Sequence, residues 1–80
     1  MREERSLTVS GFVIANREYR DMDRSVTVFT KDLGKFSFVA RGVRKITSKN
    51  RSSTDLFVHG EYFLNRSKAY YILNQGKVLE

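Results

Sequence analysis

The chain has 80 residues, of which 40% are hydrophobic and 30% are charged, and its formal net charge is +6. This balance is typical of a globular domain and excludes a disordered chain that is poor in apolar residues. A chain of this length buries only about 60–65% of its unfolded surface, so its core is thin. The absence of cysteine excludes a disulfide framework and a thiolate zinc site. We therefore predict one domain over residues 1–80, stabilised by packing.

No segment of the sequence has the pattern of a secretion signal or a membrane span. The first five residues carry charges of both signs and are not followed by a long apolar stretch. The longest apolar run, residues 69–73, is too short to cross a bilayer. We therefore expect a cytoplasmic location and no membrane association.

Five runs of alternating hydrophobic residues, enriched in Val, Ile, Phe, Tyr and Thr, predict an all-β domain with little or no helix. The first run is long, and Gly11 within it suggests a bulge or a barrel corner. In chain order the five predicted strands cover residues 7–19, 25–30, 36–43, 56–64 and 69–79.

The connections between these runs indicate how the strands pair. Residues 21–24 form a polar turn, and residues 31–34 and 65–68 have the length and composition of hairpin connections. The one long connection covers residues 44–54. A long bent first strand and four shorter ones fit a five-stranded Greek-key barrel of the oligonucleotide-binding type, the OB fold. An SH3-like barrel fits nearly as well.

The surplus of positive charge lies in one segment. Residues 1–32 and 55–80 each hold as many acidic as basic residues, whereas residues 33–54 hold no acidic residue. Clustered cations bind a polyanion because each phosphate contact releases counterions. The segment therefore predicts a nucleic-acid-binding face on strand 3 and the following loop, suited to the phosphate backbone more than to bases; a solvated basic loop is the alternative. The basic residues of the segment are Lys35, Arg41, Arg44, Lys45, Lys49 and Arg51.

Strand alternation assigns the side chains of strand 3 to two faces. Residues 36, 38 and 40 then face one side, and Ser37, Val39 and Arg41 face the other. Tyr70 and Tyr71 are adjacent, so one of them should be exposed. The phenylalanines are expected to fill the core, although exposed aromatic rings would instead offer stacking surfaces for bases. They are Phe12, Phe29, Phe36, Phe38, Phe57 and Phe63.

No pattern indicates catalysis, a metal or a cofactor. The carboxylates of residues 18–23 alternate with arginines, which argues against an oxygen-ligand metal site, and Asp23 is expected to cap the turn. His59 is the sole histidine, and the sequence identifies neither a nucleophile nor an orienting partner for it. We expect a structural histidine and no enzyme.

Several motifs resemble the RecO DNA-repair family. Gly11-Phe12-Val13-Ile14, Tyr19 and residues 23–30 look like the opening of RecO proteins. Gly34-Lys35, residues 40–45 and Ser48-Lys49 are similar to the next block, and Phe57 and residues 71–75 match the last two strands more loosely. Two departures are Arg20, where the family tends to have glycine, and Asp55-Leu56, where it often has Gln-Pro. Family members continue into a helical domain, which residues 1–80 do not include.

The resemblance implies an OB barrel of the bacterial cytosol or nucleoid that binds single- and double-stranded DNA. It further implies support of strand annealing and of recombinase loading in recombinational repair, with RecR and single-stranded-DNA-binding protein as partners. Arg51 is assigned to DNA from charge alone. By position, the resemblance assigns to DNA the residues Lys35, Arg41, Arg44, Lys45 and Lys49.

Two other functions remain open at the level of sequence. One is a protein-docking barrel whose basic face meets an acidic partner such as RecR. The other is a small RNA-binding β-barrel.

Overall fold

The computed structural model describes residues 5–43 and 50–79. These residues form five strands, and their one helical element is a single 3-10 turn, η1, at Ser52–Thr54. The strands close into a barrel in the order β1-β2-β3-β5-β4. The predicted all-β, five-stranded OB barrel is confirmed. The strands are β1 (Ser6–Arg20), β2 (Asp23–Thr30), β3 (Gly34–Ala40), β4 (His59–Arg66) and β5 (Tyr71–Val78).

The long first strand belongs to both halves of the barrel. Its residues 6–12 pair antiparallel with β4, and its residues 11–20 pair antiparallel with β2. Gly11 and Phe12 are paired on both sides, which places the predicted barrel corner at Gly11. The bulges lie further along, between Val13 and Ala15 and between Glu18 and Arg20. Closure is completed where β3 pairs in parallel with β5, at Val39 and Ile72.

Alternation along the strands brings one side of every strand into a core in which valine is the commonest residue. The rings of Phe38 and Tyr62 pack at the centre, 5.3 Å between centroids. The core cluster is Val9, Val13, Val26, Val28, Phe38, Ala40, Val43, Tyr62, Leu64 and Leu73.

The segment around η1 closes against three strands through hydrogen bonds. The side-chain amide of Asn16 on β1 donates to the Thr54 carbonyl oxygen at 2.8 Å. The Gly76 backbone N–H on β5 donates to Asn50 Oδ1 at 3.0 Å, and Tyr62 on β4 reaches the Ser53 carbonyl oxygen. This segment therefore satisfies buried polar groups while it covers the core.

Several predicted boundaries are wrong by a few residues. β2 begins at Asp23, so the first turn is shorter than predicted. β3 ends at Ala40 because Gly42, with φ of 66°, leaves the extended conformation. β4 begins at His59 because Phe57 has a positive φ of 69°.

Asp23 joins two turns that are distant in sequence. Its carboxylate Oδ1 accepts a hydrogen bond from the Gly42 backbone N–H at 2.7 Å. The residue therefore stabilises the turn that follows β3, whereas the sequence predicted a cap on the turn beside it.

The predicted core of six phenylalanines is wrong for three of them. Phe12, Phe29 and Phe57 are 50%, 54% and 78% exposed. Phe38 lies in the core, and Phe36 is half-buried. The neighbours of Phe12 and Phe29 along the strands are valines, and these valines point inward in their place.

The prediction for the adjacent tyrosines is also wrong. Tyr70 and Tyr71 are both half-buried, because Tyr70 precedes β5 and is not part of a regular strand. Its ring meets the edge of Tyr19 at a centroid distance of 6.3 Å.

In the described part of the chain, no helix has the length and apolar character needed to span a membrane.

Candidate nucleic-acid interface

The outward surface of β2 and β3, which we call the β2–β3 face, carries polar, aromatic and basic side chains. The predicted alternation holds for Phe38 and Ala40, which are each 1% exposed, and for Ser37, which is exposed. It is wrong for Val39, which was predicted to face outward but is only 7% exposed, at the point where β3 pairs with β5. In the middle of the face, Thr27 and Ser37 lie opposite each other with their hydroxyl oxygens 2.8 Å apart. The cross-strand pairs of the face are Ser25–Val39, Thr27–Ser37 and Phe29–Lys35.

Lys35 and Arg41 mark the two ends of this face. Lys35 is the second residue of β3 and Arg41 follows its last residue, and both side chains are exposed. Arg41 follows Lys35 by six positions in the chain, or about 20 Å at a rise of 3.3 Å per residue. They are thus placed along one line, too far apart to form a compact cluster.

Arg51 lies at the Arg41 end of the barrel. It is exposed and lines a small depression together with Arg24 and Asp55. Arg24 pairs with Ala40, the residue before Arg41, and its Nη1 donates to Asn16 Oδ1 at 3.1 Å. Arg24 is a cation of this region that the charge count missed, because residues 1–32 are balanced overall. The remaining predicted residues, Arg44, Lys45 and Lys49, lie outside the described residues.

The turn between β1 and β2 and the connection between β4 and β5 come together beside this end. The Arg20 guanidinium lies 5.1 Å from the ring centroid of Tyr19, whose ring contacts Tyr70. On the far side of the connection, the Arg66 guanidinium lies 5.3 Å from the ring of Tyr71. These cation–ring pairs were missed by the sequence analysis, although the adjacent residues Tyr19 and Arg20 were a visible signal for one of them.

Arg20 also faces the turn after β3. A depression of about 530 Å³ is lined by Arg20, Met22 and Arg41, together with Asp21 and Asp23. The Asp23 carboxylate is engaged by the Gly42 backbone N–H. In the described ranges, no three His, Cys, Asp or Glu side chains gather as metal ligands.

A closed five-stranded barrel with cations and aromatic rings around its first turn and on its β2–β3 face defines an oligonucleotide-binding-type β-barrel domain. OB folds bind oligonucleotides with the face of strands 2 and 3, with the connection between strands 1 and 2, and with the connection between strands 4 and 5. More particularly, the chain belongs to the family described as recombination protein O N terminal, whose model matches residues 1–80. The RecO resemblance predicted from the sequence is confirmed.

Curated relatives carry the name DNA repair protein RecO. The protein of Desulfitobacterium hafniense (strain DSM 10664 / DCB-2) is 43% identical over 63 residues, 79% of this chain and 23% of the relative. That of Syntrophomonas wolfei is 40% identical over 68 residues, 85% of this chain and 27% of the relative. That of Bacillus cereus (strain AH187) is 34% identical over 71 residues, 89% of this chain and 29% of the relative. The aligned part of the chain thus spans about a quarter of the length of these relatives.

Proposed function

We propose that this domain binds single- and double-stranded DNA without sequence preference and thereby supports strand annealing and recombinational DNA repair. It acts as a binding module and not as an enzyme, in the bacterial cytosol or nucleoid. The observation that carries the proposal is the β2–β3 face, with exposed Lys35 at one end and exposed Arg41 at the other.

The chemistry of this face suits a phosphate backbone. Its six cross-strand paired residues include a lysine, three hydroxyl side chains and no carboxylate. Cations provide the salt-dependent attraction to phosphates, and hydroxyls add hydrogen bonds to phosphate oxygens. None of these contacts reads a base edge, so binding is independent of sequence.

The family supports a role in repair, since its curated relatives are named DNA repair proteins. The sequence analysis adds Arg44, Lys45 and Lys49 to the proposed DNA contacts by resemblance, and Arg51 by charge. In the sequence these residues follow Arg41 in the connection after β3. The proposed path of the DNA backbone therefore continues from β3 to this connection.

Titration of a labelled single-stranded oligonucleotide, followed by fluorescence anisotropy at several salt concentrations, tests the proposal. With three to five phosphate contacts, log affinity falls with log salt at a slope of about −2 to −4. Arg41→Ala should reduce the magnitude of that slope by about 0.7, and Arg44→Ala with Lys45→Ala by about twice as much. Arg5→Ala, an exposed arginine before β1, is the matched control. Unchanged affinity in both test variants would contradict the assigned face.

The resemblance also motivates RecR and single-stranded-DNA-binding protein as partners. An acidic partner would meet the same basic face, so DNA should displace it in a competition titration. Displacement by DNA indicates a shared face, and a stable ternary complex indicates separate faces. Parallel titrations with RNA of the same sequence test the RNA-binding alternative, which predicts tighter binding of RNA than of DNA.

A further inference from the structure

Three rings lie side by side on the outside of the barrel, one on each of three neighbouring strands. Phe12 on β1 is paired with Phe29 on β2 and with His59 on β4. The Phe12 and His59 rings are stacked, with centroids 4.5 Å apart and an interplanar angle of 22°. We call Phe29, Phe12 and His59 the ring row.

The ring row is open to solvent. Phe12 is 50% exposed and Phe29 is 54% exposed, although the thin core of this small barrel has few large apolar side chains to spare. Leu33, in the hairpin between β2 and β3, is 53% exposed beside them. These residues line a groove of about 700 Å³ on the barrel surface. Contiguous exposed apolar surface of this kind marks an interaction site on a monomeric domain.

Positive charge continues the row at its β3 end. Lys35 is the cross-strand partner of Phe29, so the outward order across four strands is His59, Phe12, Phe29 and Lys35. Lys31 lines the same groove, with Asp32 as the acidic residue among the lining side chains. Aromatic rings beside a cation combine a surface for stacking bases with a contact for the phosphate backbone.

We propose that the ring row is a stacking platform for unpaired bases and that it gives the domain a preference for single-stranded over double-stranded DNA. This inference rests on the proposed DNA binding and adds a second kind of contact to it. The cations attract both forms of DNA, whereas the bases of a duplex are already stacked and turn only their edges outward. Two strand spacings, about 10 Å, separate Phe29 from His59. The row therefore offers one surface at Phe29 and another at the Phe12–His59 pair.

Single-stranded DNA fits this surface better than a protein segment does because the row ends in Lys35 and its groove is also lined by Lys31. A nucleotide chain presents a phosphate beside each base, which matches an aromatic surface that has lysines at its β3 end. A purely apolar partner would leave these ammonium groups without a counter-charge.

The test compares Phe12→Leu, Phe29→Leu and the double variant with the unaltered chain. Leucine keeps an apolar side chain on the strand but removes the flat ring. The DNA probes are a single-stranded oligonucleotide, an abasic strand of the same length and a duplex of the same length. Phe57→Leu is the matched control, since Phe57 is 78% exposed and lies outside the row. Circular dichroism and thermal melting confirm that each variant is folded.

Each ring-row variant should bind the single strand at least about 5-fold more weakly, and the double variant up to about 100-fold more weakly. The salt slope should stay the same, because no phosphate contact is removed. Affinity for the abasic strand and for the duplex should change less than 2-fold, as should every affinity of Phe57→Leu.

Two different failures are distinguishable. If Arg41→Ala weakens DNA binding while the ring-row variants bind the single strand like the unaltered chain, the platform is overturned and the proposed DNA binding stands. Equal losses on single strand, duplex and abasic strand also overturn the platform, because stacking is then not the cause. If the unaltered chain binds none of the probes at low salt, the proposed function fails and the platform fails with it; binding of a protein to the row would then be the remaining use of this surface.

Discussion

Tyr62 has a fully buried side chain in the middle of the barrel, and its hydroxyl therefore needs a partner inside the protein. That hydroxyl donates a hydrogen bond to the Ser53 carbonyl oxygen at 2.6 Å. A side chain at Gly60 would lie 2.7 Å from Cζ of the Tyr62 ring. One small residue and one backbone carbonyl thus define the position of the largest core side chain.

Burial raises the pKa of Tyr62 from 10.0 to about 12. In the unfolded chain the phenol ionises near pH 10, whereas in the folded chain it keeps its proton. The stabilisation is therefore fully present below pH 10 and is lost as pH rises from 10 to 12. Two pKa units correspond to a loss of about 2 to 3 kcal/mol.

Tyr62→Phe tests this reasoning. Removal of the hydroxyl leaves the Ser53 carbonyl without this donor, so the free energy of unfolding at pH 7 should fall by about 1 to 2 kcal/mol. The variant should also lack the loss of stability that Tyr62 contributes between pH 10 and 12. Urea denaturation of both proteins at pH 7, 9 and 11 measures the difference. A difference between the two proteins that stays constant from pH 9 to pH 11 would contradict the role assigned to the phenol.

At the scale of elements, β1 shapes the barrel because it leaves one partner strand for another at Gly11. A Cβ atom at this position would lie 2.9 Å from the Phe29 carbonyl carbon and would overlap the oxygen of that group. The obstacle is backbone, which cannot move aside without disturbing the β1–β2 ladder. The corner therefore depends on glycine for space, at a point where both neighbouring strands are paired.

Gly11→Ala should destabilise the barrel by about 2 kcal/mol or more, in the range of overpacked cores. The exposed neighbour Ser10 provides the control, and Ser10→Ala should change stability by no more than about 0.5 kcal/mol. Urea denaturation monitored by tyrosine fluorescence measures both. Equal stability of the two variants would contradict this prediction, because it would show that the strands make room for the added methyl group without loss of stability.

The five strands and the hairpin at residues 31–34 were predictable because alternation and turn residues are local signals. Which face of a strand is buried was less predictable. In β2, Val26 and Val28 point to one face of the strand and Phe29 points to the other. Both faces therefore carry hydrophobic residues, and the pattern alone does not select the buried one. Pairing with β1 and β3 selects it, and it leaves Phe29 outside.

At the scale of the whole molecule, the charge pattern separates the candidate interface from the rest of the surface. The basic segment was visible in the sequence because charge can be summed along the chain. The ring row was not visible, because it unites residues from three different strands. The site could therefore be predicted as a basic segment, whereas its aromatic surfaces required the three-dimensional register.

A pair of charge reversals distinguishes a local binding face from attraction by net charge. Lys35→Glu and Lys77→Glu each lower the formal net charge of +6 by two, so the two variants carry the same net charge. Lys35 lies on β3 beside Phe29, whereas Lys77 lies on the adjacent strand β5 beside Glu61. The two strands pair in parallel at Val39 and Ile72, four residues after Lys35 and five residues before Lys77, so the two lysines lie toward opposite ends of this pair of strands. At 0.15 M salt the Debye length is about 8 Å, so an exposed charge acts mainly on phosphates close to it. Anisotropy titrations with single-stranded DNA should show about 10-fold weaker binding for Lys35→Glu and a slope reduced by about 0.7 to 1, but less than about 2-fold change for Lys77→Glu. Equal losses in both variants would mean that the domain attracts DNA through its total charge and that the β2–β3 face has no special part in binding.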